Sequence, residues 1–211
     1  MPPSPPAAVV FDIGNVLIEW NPARMYDASI GAQERARLFD EVDLDGMNAA
    51  LDRGAPFLES VLALAARHPG RAAQIRLWHD RWIDMASPSI EGSVALLLAL
   101  RKAGVPVLAL SNFGVETFAI AERHYPFLAA FDRRYISGHL GLMKPEAAIY
   151  AHVEADSGLA PESLLFIDDR PENIAAAEAR GWRGHVFDSV AGLAERLASE
   201  GLPIPAQGAK Q

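Results

Sequence analysis

The sequence predicts an α/β fold: a parallel five-stranded sheet with helices on both faces, and a small helical segment inserted after the first strand. Three observations predict it. Five short, mostly apolar runs, at residues 9–11, 105–110, 134–137, 164–167 and 184–187, have the length of buried strands. Helical periodicity separates the last four, and such alternation implies parallel pairing through right-handed crossovers. From about residue 23 to 88 the alternation stops, and the chain is rich in Ala, Leu, Arg and Asp at helical spacing with no convincing strand.

The first run reaches Asp12 and breaks at Gly14-Asn15, as a buried parallel strand ends where a turn-former takes over. In open α/β sheets ligands bind beyond the carboxyl ends of strands, where Asp12 would lie. Taken alone, a solvated loop Asp is the ordinary reading. Residues 16–22 form a short extended piece closed by Asn21-Pro22. Within the insert, residues 56–64 read as a helix with Pro56 in its first turn, ended near His68-Pro69-Gly70. Residues 72–85 read as one further helix with Ile75, Trp78, Trp82 and Met85 on a single face.

Alternation resumes at Ser89. Residues 91–102 carry Val94, Leu97, Leu98 and Arg101 at helical intervals and stop at Gly104. The second strand delivers Ser111-Asn112 at its end. A helix over 115–123, the third strand, and a loop over 138–143 lead to Lys144-Pro145, where Pro145 opens a helix closing near Gly158. The fourth strand ends in Asp168-Asp169, its helix runs from Pro171 to a stop at Gly181, and a fifth strand and a helix over 190–200 follow.

The 211 residues carry a net charge of −8 with no basic patch, which argues against nucleic-acid and membrane-surface partners. No run of about 18 apolar residues is present to span a bilayer. The absence of cysteine removes disulfides, thiolate catalysis and Cys-ligated zinc. The opening Met-Pro-Pro-Ser-Pro-Pro lacks the charged start and apolar stretch of a signal peptide and reads as a disordered arm. Residues 203–211 read as a frayed tail, and a cytoplasmic location is expected. Oligomeric state is open.

Asp12, Ser111-Asn112 and Asp168-Asp169 stand at the carboxyl ends of strands one, two and four, and Lys144 stands at a helix start. A parallel sheet brings these positions to one crevice. Two acids, a Lys and a Ser suit a magnesium-assisted phosphoryl site: carboxylates hold the hard cation, while the cation and Lys neutralise phosphate oxygens. Hydroxyl, amide and backbone N–H groups orient those oxygens. Asp12 is the candidate nucleophile, forming an aspartyl-phosphate that water cleaves.

Phe-Asp-Ile-Gly-Asn-Val, Leu-Ser-Asn, Met-Lys-Pro-Glu and Phe-Ile-Asp-Asp-Arg-Pro-Glu-Asn resemble motifs one to four of the haloacid dehalogenase superfamily, in order and on the right elements. The resemblance covers roughly residues 9–197. It implies a Rossmann-like core of residues 1–19 and 89–211, with residues 20–88 as a helical C1 cap. By similarity Asp12 is the nucleophile, Ser111 binds phosphate, and Lys144 steadies both. Asp169 aligns with the metal-binding Asp, with Asp168 beside it, and the backbone carbonyl of Gly14 with a further magnesium ligand. Asn112, Asn15 and Trp20 are the candidate substrate contacts.

The pattern departs from the family at one point. Phosphatases of the superfamily usually carry an Asp two residues after the nucleophile as general acid, and this chain has Gly14. Dehalogenases also lack that Asp, yet usually lack the acidic pair too, and use no magnesium. The expectation is therefore a magnesium-dependent phosphomonoester hydrolase acting on a small phosphorylated metabolite, a sugar phosphate being one candidate. A 2-haloacid dehalogenase and a phosphate-binding protein with little turnover are the alternatives. Without an acid at position 14, leaving groups already stable as anions are expected to be favoured. Trp78 and Trp82 read as cap core, and Trp20 equally as core or substrate wall. His79, His139 and His152 lack metal-ligand spacing. Arg170 reads as a loop cap, and Asn173 as loop support or an exposed helix residue.

Overall fold

The computed structural model describes residues 4–204. Strands β1 (Ala8–Phe11), β4 (Val107–Ser111), β5 (Arg133–Ile136), β6 (Leu164–Asp168) and β7 (Arg183–Val186) form a five-stranded sheet in the order β5-β4-β1-β6-β7, every pairing parallel. Chain order runs outward from β1 to one edge and then returns to build the other, so the direction of winding switches between β1 and β6.

Successive side chains of a strand point to opposite faces, and the apolar residues sort accordingly. Val9, Phe11, Val107, Ala109, Leu165 and Ile167 enter one core. Ala8, Val10, Leu108, Leu110, Leu164 and Phe166 enter the other. The first is closed by α7 (Glu91–Lys102) and α12 (Val190–Ser199), the second by α10 (Ala147–Ser157) and α11 (Pro171–Glu178). Strands buried on both faces account for their near-continuous apolar runs. α8 (Val115–His124) carries Phe118 and Ala121 into the first core. In α7 the buried stripe is Val94, Leu96, Leu97 and Leu100, and Leu98 lies outside it, 44% exposed.

The inserted region is helical, as expected: α1 (Pro22–Ile30), α2 (Ala32–Glu41), α3 (Leu44–Asp52), α4 (Phe57–Arg67), α5 (Ala72–Asp80) and α6 (Trp82–Met85). Two expectations fail there. The single helix over 72–85 is broken at Arg81, so Trp78 and Trp82 fall on separate helices. Residues 86–89, at the end of the stretch expected to hold no strand, form β3 (Ala86–Ser89), antiparallel to β2 (Ile18–Trp20), with Trp20 opposite Ala86. Ser-Pro-Ser carries no β pattern, and the pairing is supplied by the returning chain, which local sequence does not report. The loop expected over 138–143 begins instead with one helical turn, α9 (Ser137–Leu140).

The opening arm falls partly outside the described residues, but Pro6 is buried and the Ala7 N–H bonds to the Ser163 carbonyl. Of the tail, residues 205–211 lie outside the described residues, and Ile204 packs against the core. Among the described residues no helix is long and apolar enough to cross a membrane.

Candidate active site

Strand order places β4, β1 and β6 side by side at the centre of the sheet, so Ser111, Asp12 and Asp168 emerge together at its carboxyl edge. This is the crevice where open α/β sheets bind ligands. The Asp12 Oδ1 accepts three donors: the Ile13 N–H at 2.7 Å, the Ser111 hydroxyl at 2.6 Å and Lys144 Nζ at 3.0 Å. Among the described residues none donates to Oδ2.

Lys144 is buried and also reaches Asp168 Oδ2 at 2.6 Å. Burial alone would lower its pKa, but Asp12 and Asp168 together outweigh burial and raise it, so the ammonium is held charged. Asp168 is fully buried and saturated: Oδ1 accepts the Arg170 N–H at 2.8 Å and the Asn173 amide at 2.9 Å, and Oδ2 takes Lys144. Asn173 is thus loop support, 3% exposed, rather than a surface residue. The Arg170 side chain turns outward to Glu172.

Asp169 is less buried and accepts from the Asn15 amide at 3.0 Å, while the Asn15 oxygen receives the Trp20 N–H at 2.9 Å. Asn15 holds the positive φ of the turn, +54°, a conformation Asn tolerates better than most residues. Gly14 is outside the left-handed region, and a Cβ there would meet nothing within 4 Å. Asn112 lines the cavity and also clamps the backbone of Lys144: its amide donates to the Lys144 carbonyl at 3.0 Å and its oxygen accepts the Lys144 N–H at 2.9 Å.

Oxygens of Asp12, Asp168 and Asp169 lie within 4.8 Å of one another. With the Asp168 oxygens already taken by protein donors, Asp12 and Asp169 offer the hard, anionic oxygens that magnesium prefers. Burial first, with the charge of Asp168 adding and Lys144 and Ser111 opposing, pushes the Asp12 carboxyl up to about 7.

Above these groups opens a cavity of about 520 Å³ between the sheet edge and the helical insert. Trp20, Trp78, Trp82 and Phe113 line it, with Trp20 5.9 Å from Trp78 and 6.0 Å from Trp82 between ring centroids. Trp78 and Trp82 are also buried core residues, as expected; Trp20 is half-buried and serves as wall. His79 pairs with Asp80, and His139 and His152 pack edge-on to Phe118 and Tyr135, away from the acids. Sequence reasoning missed Asp52, the last residue of α3, which lines the cavity and whose carboxyl is also pushed up to about 7, by burial first and by Asp12 second, against Lys144 and a Gly114 backbone bond.

A family model for haloacid dehalogenase-like hydrolases matches residues 6–181. The chain belongs to that family. A sesquiterpene phosphatase of Aspergillus oryzae is 28% identical over 189 residues, covering 87% of this chain and 91% of its own. The D-ribitol-5-phosphate phosphatase of Bacteroides thetaiotaomicron is 24% identical over 181 residues, covering 82% and 88%. A haloacid dehalogenase family enzyme of the same bacterium, solved with magnesium and inorganic phosphate, superposes with a TM-score of 0.71 at 24% identity, over 86% of this chain and 93% of that one. This hydrolase therefore shares its fold with a family member that binds both ions.

Proposed function

We propose that this hydrolase is a magnesium-dependent phosphomonoesterase that works through an aspartyl-phosphate on Asp12. The observation that carries the reading is the arrangement of Asp12 itself. Three donors fix the carboxylate through Oδ1, and Asp12 lines the cavity beside Lys144 and Asp169. A positioned carboxylate next to a fixed cation is a nucleophile placed for attack on phosphorus.

Asp12, Asp169 and the Gly14 carbonyl are the proposed magnesium ligands. When bound, the cation neutralises charge on the phosphate oxygens and keeps Asp12 ionised. Asp168, with its oxygens occupied by Lys144, Asn173 and Arg170, is assigned to holding Lys144 in place. Ser111 and Lys144 bind phosphate oxygens, Asn112 fixes the Lys144 loop, and Asn15 orients Asp169. The insert, residues 20–88, acts as a cap whose aromatic residues receive the body of the substrate. Four aromatic side chains in the wall favour a phosphoester with an apolar body over a sugar phosphate. The sesquiterpene phosphatase relative points to the same class.

The acidic cluster argues against a haloacid dehalogenase, which needs no cation. Phosphate release should be measured with and without magnesium over a panel of terpenyl, aryl and sugar phosphates. Magnesium-dependent release with preference for apolar esters is expected. Metal-independent halide release from 2-haloacids, without phosphatase activity, would refute the reading.

A further inference from the structure

Gly14 leaves the departing oxygen of the substrate without the proton donor that this family usually places there. We infer that Asp52, delivered from the insert, is the general acid that protonates the leaving group. The inference rests on the phosphatase reading and deepens it.

Asp45, Asn48, Ala49 and Asp52 of α3 stand at i, i+3, i+4 and i+7, and all line the cavity, so one stripe of the helix faces the site. Asp52 stands at the end of that stripe that docks on the core, and it lines the same cavity as Asp12 and Lys144. Three contacts dock this helix end on the core. The Ser137 hydroxyl donates to the Asp52 carbonyl at 2.6 Å, Arg53 pairs with Glu146 at 2.5 Å, and Gly54, at φ +99°, packs so closely that a Cβ would sit 2.7 Å from the Gly138 carbonyl oxygen. The carboxyl itself receives the Asn48 amide on Oδ2 at 3.1 Å. The side chain is thereby held in the cavity wall on the side of the insert.

In-line displacement requires this placement. Ser111 and Lys144 hold phosphate at the sheet edge, Asp12 attacks from below, and the leaving oxygen points away from Asp12 toward the insert. Burial keeps the Asp52 carboxyl protonated to an unusually high pH, which suits a donor working near neutrality. In the first step the Asp12 carboxylate forms a bond to phosphorus while the ester P–O bond breaks. The electron pair goes to the leaving oxygen, which takes the Asp52 proton and departs as a neutral alcohol. In the second step the Asp52 carboxylate takes a proton from water as the water oxygen bonds phosphorus. The bond to Asp12 breaks, inorganic phosphate leaves, and Asp52 is again protonated.

The test compares benzyl phosphate, whose alkoxide must be protonated as it leaves, with para-nitrophenyl phosphate, whose phenolate need not be. kcat/KM reports the steps through loss of the leaving group, and the ratio between two substrates in one preparation does not depend on the fraction folded. Asp52→Asn, nearly isosteric with a protonated carboxyl, should lower kcat/KM for benzyl phosphate about 100-fold or more and shift the ratio at least tenfold toward the nitrophenyl ester. Asp52→Ala should shift it in the same direction. Equal losses on both esters, or an unchanged ratio, would overturn the role of Asp52 while leaving the phosphatase reading intact. Failure of the wild type to release phosphate from either ester with magnesium present would overturn both.

Discussion

Replacing Lys144 by Met removes the only cation from a buried group that otherwise holds two carboxyls facing each other. Lys144 lies 2.6 Å from Asp168 and 3.0 Å from Asp12, with its side chain 1% exposed. Met fills similar volume, so the charge is the main loss, including the contact of the ammonium with the Phe166 ring at 5.4 Å. Breaking a buried pair by deleting one partner costs about 3–5 kcal/mol. For a chain of this length each kcal/mol moves the melting temperature by roughly 2–4 °C, so a fall of roughly 6–20 °C is expected without metal. Part of the cost is relieved by protonation. Asp12 already stands at about 7 with Lys144 pulling it down, and stands higher without that pull. An acid whose folded pKa is raised binds more protons folded than unfolded, so its penalty sets in as pH rises through the unfolded value and is complete above the folded one. Wild-type Asp12 carries the same penalty up to about 7, so the pH-dependent part of the Lys144→Met deficit sets in only above that value, and the deficit should be somewhat larger at pH 7.5 than at pH 5.5. Melting curves of wild type and variant at both pH values, in chelator, test this. Equal melting temperatures at pH 7.5, or a deficit that grows on acidification, would refute the picture of an obligatory buried cation.

Asp12→Asn should lower turnover at least about 10⁴-fold with the melting temperature preserved, because an amide is no nucleophile; substantial phosphatase activity in a clean preparation would remove Asp12 from that role. Asp169→Ala should raise the magnesium concentration for half-maximal activity more than Asp168→Ala does, whereas Asp168→Ala should cost more stability, since it strands Asn173 and one side of Lys144. A magnesium titration beside thermal melts separates them, and a reversed order would exchange their roles. Trp20→Ala should change the ranking of apolar against polar phosphate esters while costing less than the roughly 3–5 kcal/mol of a fully buried Trp. A collapsed melting temperature with an unchanged ranking would make Trp20 packing alone.

The sheet was legible because buried strands announce themselves as apolar runs, and because three of them, β1, β4 and β6, end in a polar residue at the site. Asp12, Ser111, Lys144 and the Asp168-Asp169 pair were found for that reason: fold topology brings strand ends together whatever their separation in sequence. The division of labour within the acidic pair was not legible. It depends on Asn173 and the Arg170 backbone filling the oxygens of Asp168, and a run of letters does not show which of two neighbours turns inward. The clamp of Asn112 on the Lys144 backbone was not legible for the same reason, since the two meet only across the cleft. β3 was invisible because Ala-Ser-Pro-Ser has no strand pattern and pairs only through the returning chain. Asp52 reads as a solvated helix acid in Leu-Asp-Arg-Gly. The one local signal is Gly54, whose positive φ and contact with Gly138 mark where the insert touches the core.

The β2–β3 ribbon has a consequence for how such a chain diversifies. Trp20 and Ala86 face each other across the ladder, so the whole helical insert leaves and rejoins the core at a single doorway, and grafting another insert there need not disturb the order of the five central strands. Packing sets the condition on any such exchange. Trp82 meets Phe113 at 5.6 Å, and Met25, Leu51 and Trp78 share one apolar cluster with Val9, Phe11 and Ile167 of the sheet. A foreign insert must reproduce that seam and also present a proton donor where Asp52 now stands. Substrate preference and acid catalysis would then travel together as one heritable cassette, while the nucleophile stays behind.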